Sequence, residues 1–178
     1  MKKLLPLLFL MFASVAIYSC KDDDDNYVDV QVDYPAVYDI NVNLIRNSDD
    51  YYGYNQPFNQ PMLGQDIVLV YRKNNPGSNA PIWEPLPKSY FFDEGTMDYT
   101  FNFTTADVQI DLRSDFSITL KEDNNFKANF VNGQTFRVVL VPAVYGNNKN
   151  ANAAALSKMS YEEVIKKYNI DDKKVKNL

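Results

Sequence analysis

The sequence contains no histidine and a single cysteine, Cys20, among its 178 residues. These two absences exclude Ser-His-Asp and Cys-His catalytic groups, metal sites built on histidine, and any internal disulfide. Glycine is also scarce, with six residues, and they are too isolated to form a glycine-rich phosphate-binding loop. The sequence therefore predicts no catalytic residue, no cofactor and no metal site.

Positive charge is the next deficit, because 18 lysines and arginines stand against 23 aspartates and glutamates, a formal net charge of −5. Nucleic-acid binding needs a basic surface that neutralises phosphates, so this balance argues against a nucleic-acid partner. Hydrophobic residues make up 46% of the chain and aromatic residues 14%. That content is sufficient for one packed domain.

The N-terminal residues have the pattern of a secretion signal, in which Lys2 and Lys3 precede an apolar run that ends at Ile17. The run has about 14 residues, fewer than the roughly 20 that a helix needs to span a bilayer, so a retained transmembrane helix is the weaker alternative. A cysteine placed just after such a run is typical of a lipoprotein, whose acyl chains anchor it to the membrane. We therefore expect a signal peptide over residues 1–19 and lipid attachment at Cys20. An ordinary signal peptide with a free thiol is the other alternative.

A lysine and four aspartates come directly after Cys20: Lys21, Asp22, Asp23, Asp24 and Asp25. By composition alone, residues 20–26 are an acidic, solvated tether. A calcium site is the alternative, but a calcium loop alternates its acids around a glycine turn, which this run lacks. The run resembles the surface export signal of lipoproteins of the Bacteroidota. This resemblance implies an outer-membrane lipoprotein that faces the extracellular medium.

Most of the chain beyond the tether has the period of two that is typical of β-strands. Strands are predicted at 27–34, 37–45, 67–71, 90–92, 99–103, 108–112, 116–120, 126–130 and 135–141, with the proline-rich residues 81–87 at a sheet edge. Asn132 and Gly133 predict a hairpin between the last two strands. About eight or nine short strands without a helical period between them predict an antiparallel β-sandwich, or a flattened barrel, over residues 27–146.

The last segment changes to a helical period. Ser160 and Glu163 have the spacing of a capping box, and Asn169 is placed to end the helix. Residues 147–178 are therefore expected to form a connector followed by a short C-terminal helical segment. We expect the apolar face of the helix to pack on the sheet, with partner binding as the alternative.

Several motifs between residues 66 and 146 occur in a fixed order. They are Ile67-Val68-Leu69-Val70-Tyr71-Arg72, Trp83-Glu84-Pro85-Leu86-Pro87, Phe91-Phe92 with Gly95, Asp107-Val108, and Phe136-Arg137-Val138-Val139-Leu140-Val141-Pro142-Ala143. This set resembles a family of small uncharacterised surface lipoproteins of flavobacteria and their relatives. Most of the motifs are apolar strand centres, so the resemblance implies a shared fold and supplies no catalytic residues.

Residues 46–65 interrupt the strand pattern with glycines, prolines and aspartates and predict a long loop, a common place for binding sites. The loop contains Tyr51, Tyr52 and Tyr54 beside asparagine and glutamine. Flat rings stack on sugars and peptides, and amide side chains supply adaptable hydrogen bonds. We therefore predict a glycan- or peptide-binding site at these tyrosines. Because the chain has 13 tyrosines and 11 phenylalanines, simple core packing of these rings is the alternative.

Three functions fit these observations. An accessory or structural subunit of a larger outer-membrane protein assembly is the first expectation, since a short tether on Cys20 holds the domain close to the membrane. A binding module for an extracellular glycan or peptide is the second. A glycosidase that uses carboxylates alone is the third, with Glu84, Glu94, Asp93 and Asp98 as candidate acids. The first two functions involve no catalysis.

Overall fold

The computed structural model describes residues 36–64, 66–74, 81–121, 124–141, 153–156 and 158–177. The predicted strand at 27–34, the signal peptide, Cys20 and the acidic tether lie outside the described residues. Within the described ranges, no helix has both the length and the apolar character needed to cross a membrane.

Ten strands are described, and eight of them have four or more residues. They are β1 (Ala36–Val42), β2 (Ile45–Arg46), β3 (Tyr51–Pro57), β4 (Ile67–Asn74), β5 (Ile82–Pro85), β6 (Lys88–Phe92), β7 (Gly95–Phe103), β8 (Asp107–Ser114), β9 (Gln134–Val141) and β10 (Lys176–Asn177). The helices are α1 (Asn124–Phe130), α2 (Ala153–Leu156) and α3 (Tyr161–Tyr168).

The strands form two separate five-stranded sheets. Sheet A has the order β10-β1-β9-β4-β5, and sheet B has the order β2-β3-β8-β7-β6. The β1–β10 pair is parallel, and the other pairs are antiparallel. An apolar core lies between the sheets, with β1, β4 and β9 contributing from one side and β3, β7 and β8 from the other. The predicted sandwich is confirmed.

Sheet A is covered on both faces, as the unbroken apolar run 67–71 predicts. Val68 and Val70 face the core between the sheets, whereas Leu69 and Tyr71 face a second apolar cluster on the outer side. That outer cluster contains the buried residues of the C-terminal segment, namely Leu156, Tyr161, Val164 and Ile170. The expected packing of the C-terminal helix on the sheet is confirmed.

The ends of α3 are fixed by the two predicted caps. The Ser160 hydroxyl accepts a hydrogen bond from the Glu163 amide at 3.2 Å, and the Glu163 carboxylate accepts one from the Ser160 amide at 2.8 Å. At the other end, Asn169 adopts a left-handed conformation with φ of 51°. These contacts satisfy amides and carbonyls that a helix of eight residues otherwise leaves open.

The predicted hairpin between 126–130 and 135–141 is wrong, because Asn124–Phe130 is helical. Phe126 and Phe130 are four residues apart, so they also share one helical face, and their rings lie 5.1 Å apart in a cluster with Phe92 and Phe116. The Asn-Gly pair ends this helix: the Asn132 amide donates to the Lys127 carbonyl, and Gly133 has φ of 61°.

The predicted strand at 116–120 is also wrong. Its residues form turns, and Ile118 alone inserts its side chain fully into the core. The amide of Ile118 donates to the carbonyl of Asp49 at 2.8 Å instead of joining a ladder.

The third correction concerns residues 46–65, which are not a single long loop because Tyr51–Pro57 forms β3 between β2 and β8. Because tyrosines lie on both faces of this strand, its sequence does not alternate clearly between apolar and polar residues, and the pattern does not predict a strand.

Arg72 is the one arginine in the core between the sheets among the described residues, and its side chain is only 2% exposed. Its guanidinium donates from Nε and Nη2 to Gln134 Oε1 at 3.1 and 2.7 Å, from Nη1 to the Tyr90 hydroxyl at 2.8 Å, and from Nη2 to the Asn129 carbonyl. It also lies 4.9 Å from the ring centroid of Tyr99. These partners come from both sheets and from α1, so Arg72 joins all three.

We expect Ser160→Ala to lower the free energy of unfolding by about 1 kcal/mol, because the amide of Glu163 loses its acceptor at the start of α3. Urea denaturation followed by far-ultraviolet circular dichroism measures this change. Ser160→Asp is the matched control, since a carboxylate also caps a helix, and it should retain most of the stability. Equal stability of the alanine variant and the wild type would contradict the prediction.

Candidate functional site

The outer face of sheet B is the candidate site, and no described helix packs on it. It carries nine residues, three from each of the central strands: Tyr51, Gly53 and Asn55 on β3, Gln109, Asp111 and Arg113 on β8, and Asp98, Thr100 and Asn102 on β7. We call these nine residues the open face. Alternate residues of a strand point to the same side, so the antiparallel register places them in three rows of three.

Asp111 lies at the centre of the open face and is 9% exposed. Its Oδ1 accepts hydrogen bonds from the Tyr51 hydroxyl at 2.8 Å and from Gln109 Nε2 at 2.9 Å, and its Oδ2 lies 3.5 Å from Asn102 Nδ2. Charge-assisted hydrogen bonds of this kind are stronger than neutral ones. The carboxylate therefore holds three polar side chains in fixed positions across all three strands.

Tyr51 lies at the edge of this array with its ring against Arg113. The guanidinium carbon is 3.8 Å from the ring centroid, a distance at which the cation and the π-system attract each other. The hydrogen bond to Asp111, followed by desolvation and by the charge of Asp111, raises the pKa of Tyr51 although Arg113 opposes the change. Tyr51 is therefore a neutral hydrogen-bond donor at physiological pH.

Gly53 lies near the centre of the open face and adds no side chain to it. A Cβ at this position would lie 2.9 Å from Gln109 Nε2 and 3.2 Å from Asp111 Oδ1. The absence of a side chain allows Gln109 to lie across the strand and reach the carboxylate. A larger residue would push the ends of the Gln109 and Asp111 side chains aside, so glycine favours the observed array.

The lateral margins of the same side of sheet B are apolar. Ile45 pairs with Gly53 at the β2 edge and is 63% exposed, and Phe91 pairs with Thr96 at the β6 edge and is 82% exposed. A polar centre between two exposed apolar side chains is a surface on which a ligand can form both hydrogen bonds and apolar contacts.

The three tyrosines of the predicted binding loop do not form one surface. Tyr51 faces outward, whereas Tyr52 is 7% exposed and belongs to the core, and Tyr54 packs partly against the same core. The physical reason is the alternation of strand β3, which sends neighbouring side chains to opposite faces. Of the predicted set, only Tyr51 belongs to the open face.

The carboxylates proposed for a glycosidase have separate surroundings. Glu84 on β5 is mostly buried, accepts a hydrogen bond from the Tyr90 hydroxyl and lies 3.7 Å from Arg72. Glu94, in the turn between β6 and β7, forms an ion pair with Lys121. Asp93 is exposed in that turn, and Asp98 stands on the open face.

Sequence reasoning missed Gln109, Asp111 and Arg113, although a signal for them exists. Gln109 and Asp111 are the polar positions of the alternating segment 108–112, which the sequence predicts only as a strand, and Arg113 follows it directly within β8. Their importance comes from the neighbouring strand, because Tyr51 meets Asp111 across 60 residues of sequence.

Among the described residues there is no group of three or more acidic, histidine or cysteine side chains that could hold a metal ion. Comparison of the chain with protein-family models, with curated proteins and with solved structures finds no match in any of the three.

We expect Asp111→Asn to lower the pKa of Tyr51 towards its ordinary value of about 10, because the variant removes the charged acceptor that favours the neutral phenol. A raised pKa in the folded state stabilises the fold below the ordinary pKa, and this contribution disappears as the pH rises through the folded-state pKa. The wild type should therefore lose this stability progressively as the pH rises from the pKa of the unfolded tyrosine to that of the folded one. Carbon-13 NMR of labelled tyrosine rings measures the pKa, and an unchanged Tyr51 titration would contradict the assignment.

Proposed function

We propose that this protein is a non-catalytic surface lipoprotein whose β-sandwich binds an uncharged extracellular glycan on the open face of sheet B. One observation carries the proposal: Asp111 holds Tyr51, Gln109 and Asn102 in a hydrogen-bonded array across three strands. Such an array is ordered before a ligand arrives, which reduces the entropy cost of binding.

Sugar hydroxyls both donate and accept hydrogen bonds, so a complementary surface needs amides and carboxylates side by side. The open face supplies the amides of Asn55, Gln109 and Asn102 and the carboxylates of Asp98 and Asp111. Each amide carries two donors and an acceptor. The ring of Tyr51 and the guanidinium of Arg113 add a flat surface for stacking.

The charge of the open face favours a neutral ligand over a polyanionic one. The two acids Asp98 and Asp111 outnumber the single cation, Arg113. A third acid, Asp107, is the first residue of β8. A phosphate- or sulfate-rich chain would meet these carboxylates with like charge. A neutral oligosaccharide avoids that repulsion and can still form hydrogen bonds to the amides and to Asp98.

We expect the purified full-length chain to retain neutral oligosaccharides on a glycan array, and Tyr51→Ala or the double variant Gln109→Ala with Asn102→Ala to weaken binding at least about tenfold. The first change removes the stacking ring and a partner of Asp111, and the second removes two amides.

The matched controls for these variants lie away from sheet B. Asn41→Ala changes an exposed asparagine of β1, and Tyr168→Ala changes a half-buried tyrosine of α3. Both should bind as the wild type does. A wild type that retains no glycan, or a Tyr51→Ala variant that retains as much as the wild type, would refute glycan binding at this face.

The location we propose is the outer membrane, with lipid on Cys20 and the domain facing the medium. The support is the signal pattern of residues 1–19 and the run Lys21, Asp22, Asp23, Asp24 and Asp25 after the cysteine. Two or more acyl chains give stable anchoring. The chain has no second cysteine and no histidine that would indicate a disulfide or a metal site at Cys20 instead.

We expect Cys20→Ala to move the protein from the membrane fraction to the soluble fraction. Replacement of Lys21 and the four aspartates by alanine should keep the lipid but protect the protein from protease added to intact cells, because the export address is lost. Equal digestion of this variant and the wild type would contradict surface export by this signal.

An accessory subunit of a larger outer-membrane assembly, which is the first expectation from the sequence, is the second candidate here. The observation in its favour is that Ile45 and Phe91, both strongly exposed, flank the open face, and a partner protein that covers them would remove apolar surface from water. In that case a membrane protein co-purifies with the tagged chain in stoichiometric amounts, and Phe91→Ser reduces its yield. A chain that purifies alone would eliminate this candidate.

A further inference from the structure

A cleft lies on the opposite side of the sandwich from the open face, where α3 meets the outer face of sheet A. The cleft has a volume of about 390 Å³, and its lining includes Trp83 on β5, Arg137 on β9 and Tyr161 on α3. Clefts of this size with aromatic walls and a few polar groups are typical of ligand sites. None of these residues belongs to the open face of sheet B.

Arg137 forms a rigid floor, and its charge is already compensated. The guanidinium donates from Nε and Nη2 to the two carboxylate oxygens of Asp39 at 2.7 and 2.8 Å, and from Nη1 to the Tyr161 hydroxyl at 2.9 Å. Its central carbon lies 4.1 Å from the ring centroid of Trp83. A bidentate pair of this kind fixes both side chains. Arg137 therefore positions Trp83 and Tyr161.

The cleft has apolar side walls and a charged rim, which carries two acids and one lysine, Lys166. Trp83 and Ile165 provide the apolar surface, whereas Glu162 and Asp172 are exposed acids. Burial and the negative charges of Asp172 and Asp39 raise the pKa of Tyr161, although Arg137 opposes the change.

The charges around the cleft sum to a negative value. Arg137 is compensated by its ion pair with Asp39, which lies behind the cleft lining. The other charged lining residues are the acids Glu162 and Asp172 and the cation Lys166, a net charge of one minus two, or −1. A ligand in the cleft therefore has an apolar wall beside it and an excess of one carboxylate at the rim.

We propose that this cleft binds a basic side chain, lysine or arginine, of a partner polypeptide. The methylene stem of such a side chain packs along Trp83 and Ile165, and its cationic head lies between Glu162 and Asp172. This division of a long basic side chain into an apolar stem and a charged head matches the two chemistries of the cleft. The site is independent of glycan binding on sheet B.

The test uses Trp83 as its own reporter, because it is the sole tryptophan of the chain. Tryptophan emission of the full-length lipidated protein in detergent is titrated with the blocked tripeptide acetyl-Gly-Lys-Gly-amide. We expect a saturable change in emission. The same peptide with an acetylated lysine side chain, which keeps the stem and loses the charge, should bind at least about fivefold more weakly.

Matched variants identify the rim carboxylates. Glu162→Gln combined with Asp172→Asn should weaken binding of the lysine peptide at least about fivefold, whereas Asp171→Asn, the same change at the neighbouring residue, should not. All the changes are at exposed positions, and far-ultraviolet circular dichroism confirms that each variant is folded.

Three results would overturn the proposal: a change in emission that is linear in peptide concentration, equal binding of the acetylated peptide, or an effect of Asp171→Asn as large as that of the Glu162→Gln, Asp172→Asn double variant. The Tyr51→Ala variant should bind the lysine peptide normally, so failure of the glycan proposal and failure of this one are distinguishable.

Discussion

The buried guanidinium of Arg72 is the contact on which the interior of the sandwich depends. An arginine that is almost completely removed from water is costly unless its charge and its donors are compensated. Here Gln134, Tyr90 and a carbonyl of α1 accept its hydrogen bonds, and Glu84 lies 3.7 Å away. Each of these groups must be in place for the arginine to be tolerated, so the mutual positions of the sheets and of α1 follow from one side chain.

Tyr90 links this interior charge to the edge of the fold. Its hydroxyl accepts from Arg72 and donates to Glu84, and burial, with the hydrogen bond to Glu84, raises its pKa to about 12. The phenol therefore stays neutral, and it links the carboxylate of Glu84 on β5 to the guanidinium of Arg72 on β4 through hydrogen bonds. A network whose members are all satisfied specifies one packing arrangement more sharply than apolar contacts alone.

The sequence predicts the parts of this structure that depend on local pattern. The apolar run around Leu69 and the capping box at Ser160 each have one physical interpretation, and both are confirmed. The segment 124–130 has two physical interpretations, because Phe126 and Phe130 fit a strand and a helix equally. Packing against Phe92 favours the helix. Local propensity cannot decide between such alternatives.

Prediction of the open face requires information that no local sequence pattern contains. Tyr51 could be singled out for its ring, but the group that orders it, Asp111, looks like any outward residue of a strand. Only the register between β3 and β8 brings the two together, and that register is set by long-range pairing. The inward direction of Tyr52 and Tyr54 follows from the same register, so the error about the loop and the omission of Asp111 have one cause.

The strand order also determines when each sheet can form. Sheet B draws all its strands from residues 45–114, and its β6, β7 and β8 are successive hairpin neighbours. Sheet A requires β1 to meet β9, so that Asp39 reaches Arg137 across 98 residues. Closing so long a loop costs entropy before any contact repays it, and such pairings slow folding. A chain delivered N-terminus first therefore leaves β1 without a partner until nearly the whole domain has arrived, while most of sheet B can already assemble.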